Sequence, residues 1–352
     1  MTQAVSIAQG GSNNVTMRNR IINGGMMIAQ YPSTSTSVSL SQPYWVIDRT
    51  VGYGTTSAGV YTLAQSSTAA TNFQYSLSAT VTTADSSLSG SAEYGFRQNI
   101  EGLNVYDLEW GTANAKAITI SFWVRSSLTG TFAGSVCNSG YDRSYVFSYT
   151  INSANTFEYK TVTIAGDTSG TWLKTNGVGM RLQFNLGAAA NRTTSAGAWT
   201  AGYYQNATGS VQTISTNSAT FYITGIQLEK GSTATPFENR MYGTELALCQ
   251  RYYQKLNAPR LRGVANTTTT LNRMGMPLLV TMRVAPTATS SGTHDWYDGV
   301  NTGGASTVVA AYATPDSIEY DFNASSGTTG ANRPIVFYVG ASGGFAIASA
   351  EL

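Results

Sequence analysis

The chain has 352 residues, a length that suggests two domains, and its 20 basic and 18 acidic side chains leave a net charge of +2. Charged residues are 11% of the total, against roughly 25% in ordinary soluble domains, while hydrophobic residues are 42%. Disordered chains pair low hydrophobicity with high net charge, nucleic-acid binders cluster Lys and Arg on one face, and a membrane helix needs ~20 apolar residues in a row; the sequence has none of these.

Residues 1–20 are polar, with Gly10 and Gly11 in the middle, and read as an extended arm. The opening residues lack the basic and apolar blocks of a signal peptide, and Cys137 and Cys249 lie too far apart in sequence to form a disulfide framework or metal motif. The expectation is synthesis in a reducing cytoplasm.

From Arg20 onward, strand-like segments follow at short intervals: 44–49, 73–81, 94–100, 117–125, 145–150, 157–164, 178–186 and 219–228. In the segment ITISFWVRS, Ile118, Ile120, Phe122 and Val124 share one face, while Trp123 and Arg125 share the other with Thr119 and Ser121. Such alternation marks a half-buried antiparallel strand. Many short strands separated by Gly/Ser turns, with no helices between them, predict a sandwich or jelly roll. The Gly/Ala-rich stretch 187–202 reads as a long mobile loop.

A helix is predicted over 244–256, with Thr244 as N-cap and Glu245 in the first turn. Leu246, Cys249, Tyr253 and Leu256 fall near one face of it. At that length it is marginal alone, so it either packs on its own domains as a linker or joins copies of the chain as a neck. Weaker strand patterns follow at 271–284, 307–313, 317–322, 334–339 and 345–350. The fold class is therefore all-β: a jelly-roll β-sandwich, a short linker helix and a second small β-sandwich. The boundaries are an arm at 1–20, the sandwich at 21–240, the helix at 241–257 and the C-terminal domain at 258–352.

Five segments taken together carry a resemblance: NRIINGGMMIAQ at 19–30, WVIDR at 45–49, FRQNIEGL at 96–103, AKAITISFWVRS at 115–126 and FYITGIQLEKGSTATPFENR at 221–240. They resemble the carbohydrate-binding-module-like jelly rolls of bacteriophage tail fibre and other virion proteins, over residues 19–240. The resemblance implies a non-enzymatic virion component, made in the host cytoplasm and released by lysis. It would dock on other virion proteins through its arm, associate as a homotrimer and attach to host-surface glycans as a short tail fibre. A capsid decoration protein without host binding is the alternative, and a polysaccharide depolymerase the second. Neither nucleic acid nor membrane insertion is expected.

Sugar binding calls for aromatic faces and planar polar groups. The candidates on the matching segments are Trp45, Arg49, Arg97, Gln98, Trp123 and Arg125, with Trp110 between them. The competing reading is that these large residues cover a sheet against a loop or neighbouring chain. Leu246, Cys249, Tyr253 and Leu256 are the oligomerisation candidates. No catalytic residue or cofactor is assigned. Glu93, Glu101, Asp107 and Glu109 are the carboxylates available to a glycosidase, and Asp48, Asp85 and Glu229 are oxygens available to a structural Ca²⁺. His294, in SSGTHDWYDG, reads as a turn-loop residue and not as part of a serine triad.

Overall fold

The structure, a computed structural model, describes residues 17–31, 35–38, 43–55, 58–257, 260–264, 272–291, 294–324, 333–339 and 345–352. The first sixteen residues of the expected arm lie outside that set. The chain forms two compact units, 1–241 and 242–352.

The first unit contains strands β1 (Ser35–Val38), β2 (Tyr44–Ile47), β3 (Thr50–Gly54), β4 (Val60–Ser66), β5 (Ser76–Thr83), β6 (Glu93–Glu101), β7 (Ile118–Ser126) and β8 (Gly130–Cys137). It continues with β9 (Arg143–Ile151), β10 (Glu158–Ile164), β11 (Val178–Ala188), the short β12 (Thr193–Thr194), β13 (Trp199–Ala201) and β14 (Asn206–Ala207), and the long β15 (Thr220–Lys230). Two antiparallel sheets result, one of six strands in the order β1-β4-β5-β15-β7-β10, the other of seven in the order β13-β9-β8-β11-β6-β3-β2. The chain passes from sheet to sheet along β5, β6, β7 and β8, and again along β9, β10 and β11. That over-and-back path is the wiring of a jelly roll.

Strand alternation supplies the core between the sheets. Ile118, Ile120, Phe122 and Val124 of β7 are fully buried and meet Phe96 and Ile100 of β6 and Leu182 and Phe184 of β11 in one apolar cluster. Each such side chain contributes roughly 1.5–3 kcal/mol through burial.

The family-like motifs at either end of this unit close on each other. Against β7, β15 slips register between Thr224 and Gln227, a bulge that frees backbone groups from the ladder. Residues 19–24 satisfy them: Ile226 N donates to Gly24 O at 3.0 Å, and Asn19 Nδ2 donates to Ile226 O at 3.0 Å. A Cβ at Gly24 would stand 2.1 Å from Ile226 O, so only glycine lets the two segments meet. Past β15, Glu238 accepts hydrogen bonds from the backbone amides of Met17, Arg18 and Asn19. Residues 17–20 are thus bound to the sandwich.

The second unit opens with helix α1 (Tyr242–Gln250), which is shorter than predicted. Thr244 lies inside it, not at its cap. Tyr253 and Leu256 are not helical: they belong to strand β16 (Tyr253–Asn257). The aromatic pair after Arg251 favours a strand, and burial fixes it, because Tyr252, Tyr253 and Cys249 all sit in the interior. Cys249 and Tyr253 are therefore withdrawn from any surface that a helical stripe would offer, whereas Leu246 is half-buried.

Strands β17 (Arg260–Val264), β18 (Asn272–Pro277), β19 (Thr287–Ser291), β20 (His294–Tyr297), β21 (Thr302–Thr314), β22 (Ser317–Ala324), β23 (Pro334–Val339) and β24 (Phe345–Ser349) complete the unit. They form a three-stranded sheet, β16-β24-β19, and a six-stranded sheet, β17-β23-β20-β21-β22-β18. Trp296, Ile318, Tyr320, Ile335 and Phe337 from the larger sheet pack with Ala346 and Ala348 from the smaller. His294, expected in a loop, lies on β20, paired with β21 and β23. Its ring lies 5.8 Å from Phe337, and burial lowers its pKa. Ser290 and Ser291 belong to the other sheet.

Candidate functional site

The outer face of the six-stranded sheet carries Trp123. Antiparallel register sets Tyr159 of β10 directly opposite it and Thr224 of β15 on its other side. The rings of Trp123 and Tyr159 lie 5.4 Å apart and are tilted by 48°, and Tyr159 is 45% exposed. Facing them, Phe73 and Phe237 meet edge to face at 5.0 Å. The four aromatics border a groove of about 450 Å³ into which Asn72, Asn239 and Ser121 also open. Gly225, at φ +63° on the bulge, forms part of its floor, where a Cβ would stand 2.5 Å from Phe73.

The closing motif builds the far wall. Buried Gln227 donates to Thr235 O at 3.2 Å and accepts from Glu238 N at 2.8 Å, while Glu229 accepts from Thr235 N at 2.8 Å. These bonds fold 231–240 back over β15 and hold Pro236 and Phe237 against the groove. Two residues along β7 on the same face, Arg125 lies over the ring of Tyr222 at 4.9 Å. Aromatic faces edged by amide and hydroxyl groups match a sugar ring, whose C–H faces stack while its hydroxyls bond sideways.

The outer face of the seven-stranded sheet differs in kind. Arg97 of β6 pairs across to Gln183 of β11 and Val51 of β3, and its guanidinium lies 5.1 Å from the centre of the Tyr53 ring. Segment 189–211 covers this face. Tyr53 donates its hydroxyl to Gln205 Oε1 at 2.5 Å, Gln205 donates to Glu93, and Tyr203 donates to Gln183 Oε1 at 3.2 Å. Arg181 lies over Tyr141 at 3.9 Å and Arg192 over Tyr203 at 4.9 Å. Burial raises the Glu93 carboxyl above its ordinary pKa against the pull of Arg192 and Arg97, and burial lifts the Cys137 thiol to about 11.

The predicted mobile loop is thus structured. Trp199 Nε1 donates to Ala165 O at 2.8 Å, and β13 pairs with β9. Elements of two or three residues are too short to leave a periodic signal in sequence.

The glycan candidates therefore scatter. Trp123 and Arg125 share the open face. Arg97 points to the covered one, and its neighbour Gln98 is buried, bonded to both the N–H and the C=O of Ile22. Trp45 is half-buried at a sheet edge, stacked on Tyr31 at 5.8 Å. Arg49 and Trp110 are corrections. Arg49 is 1% exposed and donates to Asn99 O at 2.6 Å. Trp110 packs edge-on against Trp172 and Trp199 at 4.7 and 5.2 Å and donates to Lys116 O. Both hold the fold from within. Tyr159, Phe73 and Phe237 carry no sequence signal of their own, because they join Trp123 only through strand register and a bulge.

The acidic segment is engaged in ion pairs: Glu93 with Arg192, Asp107 with Arg20 and Lys230, and Glu109 with Lys116. The oxygens considered for Ca²⁺ serve separate places. Asp48 holds Gln30, Asp85 holds Tyr94 and Glu229 holds Thr235. Among the described residues, no group of three His, Cys, Asp or Glu is arranged to hold a metal.

No protein-family model matches the chain, and no curated protein matches its sequence. Among solved structures it is similar to a putative sugar binding protein from Bacteroides thetaiotaomicron, at 11% identity over 60% of this chain and 99% of that one, with a TM-score of 0.35. It is similar to the enzymatically active domain of tailspike protein 4 of bacteriophage CBA120, at 16% identity and a TM-score of 0.31. That alignment covers 60% of this chain but spans only 21% of the tailspike domain. A third is TmCBM61 in complex with β-1,4-galactotriose, at 13% identity over 60% of this chain and 99% of that one, with a TM-score of 0.28.

Proposed function

We propose that the chain is a non-enzymatic attachment protein of a bacteriophage virion that binds host-surface glycans through the Trp123 groove. The observation that carries this reading is the groove itself: Trp123 and Tyr159 facing Phe73 and Phe237 across about 450 Å³, with amide and hydroxyl groups between them. The motif resemblance over 19–240 supports the virion assignment, and the same motif, GIQLEKGSTATPFE, builds the floor and far wall of the groove. Engagement of Glu93, Asp107 and Glu109 in ion pairs favours binding over cleavage. We propose a homotrimer that docks on other virion proteins through its arm. Met241, at 84% exposure, and Tyr242, at 60%, are exposed apolar side chains, which supports such contacts.

The test is binding of the full chain to an array of bacterial surface oligosaccharides, with Trp123→Ala beside it. Loss of a stacked aromatic anchor of ~2 kcal/mol weakens binding roughly thirty-fold. Equal binding by both proteins, or none by either, sinks the groove assignment. Release of reducing sugars from the same polysaccharides overturns the non-enzymatic part. Competition by the soluble protein for phage adsorption separates an attachment protein from a capsid decoration, which labels the head and does not compete. A monomer mass in solution refutes the trimer.

A further inference from the structure

In the second unit the segment HDWYDGVNTGG, 294–304, folds as a hairpin of β20 and β21. Alternation on β20 sends Trp296 into the core at 1% exposure and leaves Asp295 and Tyr297 on the outer face. Register then lays out two rows. Tyr338, Asp295 and Gly304 lie side by side in one, and Val336, Tyr297 and Thr302 in the other. Gly304 adds no side chain beside Asp295, so an open groove of about 750 Å³ lies over this patch.

Two features distinguish the groove from an ordinary sheet surface. Tyr297 is 40% exposed, yet its hydroxyl donates to Gly299 O at 2.9 Å, which fixes the ring before any ligand arrives. The turn carrying Gly299 is itself held, since Asp298 accepts from the amides of Val300 and Asn301 at 3.0 and 2.6 Å. The second feature is Asp295. Several carboxylates elsewhere are matched with cations, as in Asp167 with Arg143 and Glu158 with Lys160, and others accept from neutral donors, as Asp85 does from Tyr94. Arg333, the cation next to this turn, pairs with Asp298. Among the described residues, Asp295 accepts no hydrogen bond and pairs with no Lys or Arg. Its oxygens are not sealed from solvent, so this carboxylate presents several acceptor lone pairs to whatever enters the groove.

We propose that this groove is a saccharide-binding site of the second unit, separate from the Trp123 groove. A neutral sugar ring lies over the glycine floor against Tyr297, gives a pair of hydroxyl protons to Asp295 and meets the Thr302 hydroxyl. Among the described residues that line the groove, the one charged side chain is an anion, Asp295, which disfavours acidic sugars.

The test is saturation-transfer NMR on the full chain with the methyl glycosides of glucose, galactose, N-acetylglucosamine and glucosamine. Four proteins are compared: the wild type, the double variant Trp123→Ala/Tyr159→Ala, that double variant carrying Asp295→Asn, and the double variant carrying Tyr297→Ala. Thermal unfolding verifies that each is folded. The double variant retains transfer to at least one neutral glycoside, and both additions reduce it fivefold or more. Asp295→Asn keeps the size of the side chain, so its effect reads the carboxylate and not packing. No transfer in the double variant, or transfer unchanged by Asp295→Asn, overturns the site. Transfer confined to the glucosamine glycoside marks a cation site and overturns the neutral-sugar assignment. None of these outcomes depends on whether the Trp123 groove binds.

Discussion

Trp123 and Arg97 occupy comparable places, each pointing outward from an interior strand of its own sheet in the first sandwich, yet their surroundings are opposite. Around Trp123 the sheet is left open, and the residues opposite it are aromatic rings and neutral polar groups. Around Arg97 the sheet is roofed by 189–211, and the arginines rest on tyrosine rings while Glu93 and Gln205 complete a hydrogen-bonded layer. Burying charge is tolerated only where partners are supplied, so the roof and the arginines require one another. The open face carries no such obligation and is free to meet a ligand. The difference teaches that an outward-facing large residue is a binding candidate only after its cover is known.

Substitutions that act on one face alone break this comparison. Gly225→Ala has the largest expected effect. It places a Cβ 2.5 Å from Phe73 at a φ of +63°, costs ~2–4 kcal/mol by denaturant unfolding, and displaces Phe73 from the groove, so binding falls with stability. On the roofed face, Tyr53→Phe removes the donor to Gln205 and leaves a buried acceptor unfilled, at ~1–2 kcal/mol. Glycan binding by that variant stays at the wild-type level; a parallel loss of binding would show that the two faces are not independent.

Glu158 offers a smaller, pH-dependent test next to Tyr159. Burial pushes its pKa up, but Lys160 and the amides of Ser153 and Asn152 outweigh it and bring the value down to about 2. Against an unfolded value of about 4.3, the folded state favours the ionised form. The contribution is therefore complete above pH ~4.3 and is lost as pH falls through about 2. Glu158→Gln is expected to cost roughly 0.5 kcal/mol at pH 7, since the pair sits near the surface, and nothing near pH 2. A difference that persists at pH 2 removes the electrostatic account.

The smallest effect expected is a null one. Cys137 lies beneath the roof with its thiol raised to about 11 by burial, and Cys249 is interior to the second unit. Neither reacts with a thiol reagent at pH 8 until the chain unfolds. Fast labelling of one thiol, traced to Cys137, would mean that the roof opens.

Much of the first sandwich was legible because local alternation reports facing. The pattern ITISFWVRS assigned Phe122 and Val124 inward and Trp123 and Arg125 outward, as the structure has them. Cover and register were not legible, because both are set by residues far away in sequence. Tyr159 reaches Trp123 through pairing of β10 with β7, and Trp110 is buried by Trp172 and Trp199, 62 and 89 positions away in the numbering. Gly24 stands in the quoted segment NRIINGGMMIAQ, but its purpose lies in the approach to Ile226, more than two hundred residues later. The predicted helix runs past the observed one for a related reason: Arg251 and the tyrosines after it fit a helical period, and the burial of Tyr252 and Tyr253 within the second unit decides for a strand.

The most direct test of the central claim is indole N–H NMR of the full chain during titration with the oligosaccharide that binds best on the array. The account predicts that the Trp123 resonance, assigned through Trp123→Phe, shifts in proportion to occupancy while the buried Trp110 and Trp172 resonances stay in place. Saturable binding with an unmoved Trp123 resonance would contradict it.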